Sequence, residues 1–319
     1  MKRVTVLLGG LSAEREVSLS SGTQCALALE AAGYEVSRVD PGADPAALIA
    51  ALRAARPDAV FNALHGGLGE NGSVQAILDW LGLPYTHSGV RASALAMNKA
   101  AAKAAFAAAG LPVAEQVLLD AAELEASDPL PRPYVVKPVE EGSSVGVHIL
   151  KTGDNRRAEI ARNWQHGGII AEPFIPGREL TVAVMGDRAL EVTEITASHG
   201  AFYDYEAKYA DGGSRHTLPA PVHPAIRAQA LDVALRAHRA LGCRGVSRAD
   251  FRYDDTSGEP GRLVLLEVNT QPGMTPTSLV PEQAAHAGIA FPQLCDWMVR
   301  QARHDGPRAA ENGSRQHAA

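Results

Sequence analysis

Short apolar runs alternate with helical patterns over residues 3–88 of the chain. Three runs rich in β-branched residues predict buried strands, namely RVTVLLGG (3–10), YEVSRVD (34–40) and DAVFNALHG (58–66). Apolar residues recur at helical spacing in SLSSGTQCALALEAAG (18–33), PAALIAALRAAR (45–56) and SVQAILDWLG (73–82). LPYTHS (83–88) predicts a last short strand. Alternating strands and helices predict an α/β domain with a parallel sheet and right-handed crossovers.

The carboxyl ends of the strands are where such sheets bind ligands. Gly9, Gly10, His65 and Gly66 come at the ends of two of the predicted strands. We therefore expect a ligand close to these residues.

The pattern changes after Ser88. VRASALAMNKAAAKAAFAAAG (90–110) is strongly helix-forming and ends in a glycine. Three strand-like runs joined by Pro- or Gly-containing turns follow, EQVLLD (115–120), PYVVKP (133–138) and SVGVHIL (144–150). A helix near 154–165 and a further strand-like run, GGIIAEPFI (167–175), come next. This order indicates a small α+β domain.

A third section starts near Pro176. It contains a long helical pattern at 224–241, further helices from about Leu279, and four strand-like runs: RELTVAVMG (178–186), ALEVTEI (189–195), GVSRADFRYD (245–254) and RLVLLEVN (262–269). The segment from Ala197 to Pro221 is irregular. We expect domains at 1–88, 89–176 and 177–303, followed by a disordered tail at 304–319 that is small, polar and unpatterned.

Composition narrows the class of protein. The formal net charge of −6 leaves no basic tract for a nucleic-acid backbone, so no nucleic-acid partner is expected. No apolar stretch approaches the roughly 20 residues that span a bilayer, so no membrane insertion is expected. The three cysteines are far apart and form no C-x-x-C pair, which is typical of a cytoplasmic protein without a disulfide framework.

Two strand-like segments, SRADF (247–251) and LLEVN (265–269), carry polar residues at alternating positions. Arg248 and Asp250 share one face, as do Glu267 and Asn269. On neighbouring strands, the carboxylates and the amide carbonyl would form an oxygen site for Mg²⁺ beside phosphates, with Arg248 neutralising an oxyanion. The alternative is a solvated hairpin whose charges pair, although the apolar residues around Glu267 favour a strand covered on at least one side.

Lys137 ends a strand and precedes EEGSSVG (140–146). The lysine could reach a phosphate, and the small residues after it could bring backbone N–H groups close to phosphate oxygens in a flap. A strand-end lysine that reaches water is the alternative.

The segment AEPFIPGRE (171–179) joins the second and third sections. Its apolar Phe174 and Ile175, with Glu172 and Glu179, suit an adenine and a ribose between domains. By itself the signal is weak, and the segment alone favours an ordinary Pro-Gly linker. Lys99, on an alanine-rich helix, gives a weaker signal.

Taken in order, these residues resemble the ATP-grasp superfamily, and within it the D-alanine–D-alanine ligase family. Seven segments carry the resemblance over nearly the whole chain except the C-terminal tail: VLLGGLSAEREVSLSSG, ALHGGLGENGSVQ, KPVEEGSSVGV, EPFIPGRELTVAV, FYDYEAKY, SRADF and LLEVNTQPGMTPTSLVP. The resemblance implies an ATP-grasp fold with an N-terminal parallel α/β domain. It also implies a cytoplasmic homodimer that makes D-alanyl-D-alanine from ATP and two D-alanines, by way of an acyl phosphate, for peptidoglycan precursors.

The resemblance also assigns residues to the ligands. ATP would be bound by Lys99, Lys137, Glu172, Phe174, Ile175, Glu179, Phe202, Lys208 and Leu266. Two Mg²⁺ or Mn²⁺ ions would be held by Asp250, Glu267 and Asn269.

For the amino-acid substrates, the resemblance implies that Glu14 orients the first ammonium group. Its hydrogen-bond partners would be Ser143 and Tyr209, the latter on a mobile loop. Arg248 and the Gly273 amide would serve the oxyanion, and Ser278 would hold the second carboxylate. Further substrate contacts are expected at Val17, His65 and Leu279.

Two positions depart from the usual family pattern. Asn98 stands where aspartate is frequent, and Gln271 where a small or apolar residue is usual. Two other functions stay open: ligation of D-alanine to D-lactate, which the YDYEAKY segment disfavours, and a non-catalytic module that senses nucleotide or a D-amino acid.

Overall fold

Three β-sheets form the framework of the chain in a computed structural model that describes residues 2–197 and 213–306. The first is parallel, in the order β2-β1-β3, with β1 Arg3–Leu7, β2 Glu35–Val39 and β3 Ala59–Asn62. Helices α1 Arg15–Ala31, α2 Pro45–Ala55 and α3 Ser73–Trp80 follow its strands. The predicted parallel sheet is therefore confirmed. The predicted fourth strand is reduced to a single bridge from Val60 to Tyr85.

The long helix predicted from residue 90 to 110 is in fact two helices, α4 Val90–Met97 and α5 Lys99–Ala108. Asn98 separates them in an extended conformation, and its side-chain oxygen accepts a hydrogen bond from the Ala101 amide at 2.9 Å. Helix propensity alone did not predict the break, because asparagine is tolerated inside helices but preferred as an N-cap.

The second sheet is antiparallel, in the order β4-β7-β5-β6. Its strands are β4 Val117–Leu119, β5 Tyr134–Pro138, β6 His148–Leu150 and β7 Ile169–Pro173, with helices α6 Ala121–Ala126 and α7 Arg157–Arg162 beside them. Helix α6 was not predicted, although Asp120 and Glu123 form a capping box at its start. The residues between β5 and β6 form the glycine-rich turn, 139–147, in which Ser143 and Ser144 are left-handed at φ 49° and 60°.

The third sheet has the order β10-β9-β8-β11-β12. Its strands are β8 Arg178–Met185, β9 Arg188–Ala197, β10 Ser214–Thr217, β11 Val246–Asp254 and β12 Arg262–Asn269. Helices α8 Pro224–Leu241, α9 Leu279–His286 and α10 Phe291–Arg300 complete this part. One face of the sheet packs against α5 and α8 through Phe106, Ala230, Ala237 and Phe251, all buried. Strand β10 lies inside the segment predicted to be irregular.

The predicted disordered tail begins too early. Arg303 exchanges backbone hydrogen bonds with Tyr85, and Asp305 pairs with Arg244. The Arg244 guanidinium also stacks 4.6 Å from the centre of the Tyr85 ring. Residues 303–306 are therefore anchored to the first and third sections. No helix within the described ranges is both long and apolar enough to cross a membrane.

Candidate active site

The hairpin of β11 and β12 presents four polar side chains on one face. Arg248 lies opposite Asn269, and Asp250 lies opposite Glu267, while Ala249 between them faces the buried core. The sequence predicted this shared face, and the antiparallel register produces it because alternate residues of a strand point the same way.

A β-bulge interrupts the hairpin next to these residues. The register shifts so that Phe251 pairs with Leu265, which leaves Leu266 as an extra residue in β12. Leu265 is fully buried in the core, whereas Leu266 and Glu267 both line a cavity. A regular strand would have turned Leu266 toward the core, so the bulge adds an apolar contact next to the carboxylate.

Asp250 is largely buried and well supplied with hydrogen bonds. The Arg248 guanidinium donates to its two oxygens at 2.8 and 2.7 Å, and the Thr181 hydroxyl donates at 2.6 Å. The charges of this hairpin therefore do pair, as in the alternative interpretation. The solvated part of that interpretation is wrong, because the side chains of Arg248 and Asp250 are only 14% and 11% exposed.

The donor set on this face fits a hard divalent cation. Asp250, Glu267 and Asn269 offer two carboxylates and an amide oxygen, which are oxygen ligands of the type that Mg²⁺ takes beside phosphates. Nowhere in the part of the chain that the structure describes, this face included, do three His, Cys, Asp or Glu side chains group as a metal site. A cation here would thus need phosphate or water oxygens to complete its shell.

Two adjoining cavities lie against this face. The larger cavity has a volume of about 500 Å³, and these predicted site residues line it: Glu14, Val17, His65, Lys99, Ser143, Arg248, Glu267, Asn269, Gly273, Ser278 and Leu279. The smaller cavity has a volume of about 100 Å³, and these predicted site residues line it: Lys99, Lys137, Ser143, Glu172, Phe174, Ile175, Glu179, Asp250, Leu266 and Glu267. Phe202, Lys208 and Tyr209 lie outside the described residues.

The two cavities share a wall. It consists of Lys99, Glu141, Gly142, Ser143 and Glu267, which line both of them. The glycine-rich turn supplies three of these five residues, so this turn separates the two spaces.

A buried carboxylate bridges two lysines in the smaller cavity. Glu172 Oε1 accepts from Lys103 at 2.7 Å, and Oε2 accepts from Lys137 at 2.9 Å. Burial opposes ionisation of Glu172, but the two ammonium groups outweigh it and lower the pKa of its carboxyl group. Burial also lowers the pKa of Lys103, although Glu172 opposes that effect.

Sequence reasoning missed Lys103. It lies four residues after Lys99 on the alanine-rich helix and is only 2% exposed. A lysine on such a helix is ordinarily solvated, so the only available signal was its spacing of one turn from Lys99.

The start of α1 and the glycine-rich turn meet across the larger cavity. The Ser143 hydroxyl donates to Oε1 of Glu14. A Cβ atom added to Gly66 would lie only 2.5 Å from the other carboxylate oxygen of Glu14. Gly66 also has a positive φ of +67°. Only glycine leaves room for the carboxylate at this strand end.

His65 faces the same cavity from the end of β3. Its Nε2 lies 3.1 Å from the Ser21 hydroxyl, and its Nδ1 lies 3.6 Å from Oε1 of Glu70. Glu70 and His216, whose Nδ1 is 2.8 Å from Oε2 of Glu282, are further cavity residues that the sequence did not reveal.

The start of α9 closes the far end of the larger cavity. Ser278 is the N-cap of this helix, and the Thr275 amide donates to its hydroxyl at 3.1 Å. A Cβ on Gly273 would lie 3.0 Å from the same hydroxyl oxygen, so glycine lets these residues approach closely. Free amides and the helix dipole make such an end favourable for a carboxylate.

Known proteins resemble this chain over most of its length. The family described as "D-ala D-ala ligase C-terminus" matches residues 105–300. D-alanine–D-alanine ligases of Acidiphilium cryptum and Granulibacter bethesdensis are each 66% identical over 303 residues, which cover 95% of this chain and 99% and 98% of theirs.

Solved structures agree with this likeness. A crystal structure of D-alanine–D-alanine ligase from Bacillus anthracis is 29% identical with a TM-score of 0.79, and covers 94% of this chain and 97% of its own. The complex of that ligase with ATP is 26% identical with a TM-score of 0.77 and the same coverage.

Proposed function

The chain belongs to the D-alanine–D-alanine ligase family and joins two D-alanine molecules at the expense of ATP, and we propose that its two cavities divide this reaction between them. The smaller cavity binds ATP, and the larger one binds both amino acids. The shared wall carries this proposal, because Lys99, Ser143 and Glu267 face both spaces. The two ligands would then meet at the same residues, where a phosphoryl group can be transferred directly from one to the other.

In the smaller cavity, apolar Phe174, Ile175 and Leu266 pack against the adenine ring, and the Glu179 carboxylate accepts hydrogen bonds from the ribose hydroxyl groups. Lys137 and Lys99 neutralise the phosphates as point charges. The ATP complex of the Bacillus anthracis relative supports nucleotide binding by this fold. Phe202 and Lys208 are proposed to join this site, although they lie outside the described residues.

Asp250, Glu267 and Asn269 are proposed to hold two Mg²⁺ or Mn²⁺ ions between the two cavities. The ions supply neutralisation of phosphate charge, which is the main requirement of phosphoryl transfer. The arrangement of the hairpin supports this role, since the three oxygen ligands share one face with Arg248.

The first D-alanine lies with its ammonium group near Glu14, and Ser143 orients that carboxylate. Val17 and His65 form the wall beside it, and Tyr209 is proposed to extend the hydrogen-bond network. One carboxylate oxygen of this D-alanine forms a bond to the γ-phosphorus of ATP, and the bond to ADP breaks. The product is an acyl phosphate.

The second D-alanine binds with its carboxylate at Ser278 and the start of α9, and with Leu279 against its methyl group. Its amino group, after losing a proton, bonds to the acyl carbon. The oxyanion that forms is stabilised by Arg248 and the Gly273 amide. The carbonyl reforms when the bond to phosphate breaks, which leaves D-alanyl-D-alanine and inorganic phosphate.

A product assay tests this function. With ATP, Mg²⁺ and D-alanine alone, we expect D-alanyl-D-alanine by mass spectrometry, with one ADP and one phosphate for each dipeptide. Absence of D-alanine-dependent phosphate release would instead indicate a non-catalytic sensor. A predominant ester product with excess D-lactate near neutral pH would indicate a depsipeptide ligase.

We also propose that the enzyme works in the cytoplasm as a homodimer and feeds peptidoglycan synthesis. The need for ATP and the free thiols of its cysteines support the compartment. Light scattering of the purified protein at micromolar concentration should give twice the chain mass of 33.5 kDa.

A further inference from the structure

Three consecutive contacts hold the base of the glycine-rich turn to the break between α4 and α5. The Lys99 amide donates to the Val139 carbonyl at 2.9 Å. The Asn98 side-chain amide donates to Oε1 of Glu140 at 2.7 Å. The Lys99 ammonium group donates to the Glu141 carbonyl. Three successive residues of the turn are thus each held by one of two residues at the helix break.

The two polar atoms of Asn98 have separate tasks. Its Oδ1 caps α5 at the Ala101 amide, while its Nδ2 donates to Glu140. An amide can do both at neutral pH, whereas an ionised carboxylate has no hydrogen to donate. The aspartate that is frequent at this position would keep the cap but would place two like charges together.

Neither Asn98 nor Glu140 lines either cavity. Their side chains thus lie outside the two ligand spaces, in contrast to Lys99, Glu141 and Ser143, which line both cavities. Any effect of the Asn98–Glu140 pair must therefore pass through the position of the turn, whose backbone amides are the ones available to phosphate.

We propose that the hydrogen bond between Asn98 and Glu140 is a positioning contact that fixes the glycine-rich turn over the nucleotide and so sets the affinity for ATP. This inference rests on the proposed function, since it takes the smaller cavity as the ATP site. It gives a role to Asn98, one of the departures from the family pattern, and to Glu140, to which the resemblance assigns none.

Exchanging the amide and the carboxylate tests this proposal. Asn98→Asp keeps the helix cap and removes the donor, so we expect the Kd for a non-hydrolysable ATP analogue with Mg²⁺ to rise about tenfold. Glu140→Gln leaves two amides that can still bond, and its Kd should rise no more than about threefold. The double variant restores the bond with donor and acceptor exchanged, and its Kd should return to within about twofold of the wild-type value.

Calorimetric titration gives the Kd, and steady-state kinetics should show the same ranking in KM for ATP with a nearly constant kcat. The melting temperature should match the wild type in all three variants, because the cap is kept. A wild-type Kd in Asn98→Asp, or a double variant no better than Asn98→Asp, would overturn the proposal. If the wild type makes no dipeptide, the proposed function fails, while the titration still decides the role of the pair.

Discussion

At the scale of single residues, Glu172 connects two lysines in the proposed nucleotide site. Its carboxylate holds Lys103, which is 2% exposed, and Lys137, which faces the cavity. If Lys137 turns to a phosphate as proposed, Glu172 would keep a compensating partner in Lys103. Lys103 is thus a positioning residue, since it acts through Glu172 and does not line the cavity.

Replacing Lys103 by methionine should weaken ATP binding by about one order of magnitude, because Glu172 would then retain Lys137 as its only cation. Removing one partner of a buried ion pair should also lower the free energy of unfolding by about 3 kcal/mol. Calorimetry with the ATP analogue and urea denaturation measure the two effects. Lys103→Arg keeps the charge and is the matched control, and unchanged nucleotide affinity in Lys103→Met would contradict this role.

His238 gives the protein a dependence on pH that is separate from catalysis. Burial lowers the pKa of His238 to about 4, against 6.5 for the free group, and its Nδ1 lies 2.7 Å from the Ser247 hydroxyl. Below pH 6.5 the unfolded chain binds this proton while the folded chain does not. Stability is therefore complete above about pH 6.5 and falls as the pH drops toward 4.

His238 should lower the free energy of unfolding by about 3 kcal/mol between pH 6.5 and pH 4. His238→Gln, which stays neutral, should flatten the decline in the free energy of unfolding measured by urea titration at several pH values. An equally steep decline in the variant would show that other groups account for it.

At the scale of elements, the hairpin of β11 and β12 combines a regular and an irregular part. The regular register aligns Asp250 with Glu267, and the bulge adds Leu266 to the same side. Metal ligation and adenine packing are thus proposed for neighbouring positions of one strand.

Glu267→Gln removes one negative charge from this hairpin. We expect kcat to fall at least about a hundredfold, because a neutral amide would hold a divalent cation less tightly and phosphate charge would then be less well neutralised. The melting temperature should hardly change, since this side chain is partly exposed. Glu259→Gln, on the exposed turn of the same hairpin, should keep normal turnover, and equal rates for the two variants would refute the assignment.

Elements with a strong local pattern were predictable from the sequence. Helix α8 has the predicted bounds, and β12 coincides with its apolar run. The break at Asn98 and the bulge at Leu266 were not predictable, since they depend on contacts with other elements. Lys103 and Glu172 pair although they are 69 positions apart, and no local sequence pattern indicates a contact between residues so far apart.

At the scale of the whole molecule, Gln271 joins the first and third sheets. Its backbone amide donates to Oδ1 of Asn269 at 2.7 Å, and its side chain donates to the Asn62 carbonyl at 2.7 Å. A proposed metal ligand and the end of β3 are therefore connected through one buried residue. A small or apolar residue at this position could not make the second bond.

Gln271→Met keeps the length of the side chain but leaves the Asn62 carbonyl without this donor. We expect the free energy of unfolding to fall by about 1–3 kcal/mol. We also expect a higher concentration of Mg²⁺ for half-maximal rate, because Asn269 would be less firmly placed. Gln301→Met, at an exposed position after α10, is the control and should change neither quantity.

The core of the first section is completed by α10, the last helix that the structure describes. Cys25 and Leu29 of α1 pack in one cluster with Leu294, Cys295 and Met298 of α10. Tyr85, beside the first sheet, pairs with Arg303. The first section therefore cannot complete its core before α10 has been synthesised. The core cluster of the second section comes from residues 119–171 alone, so this section can pack earlier.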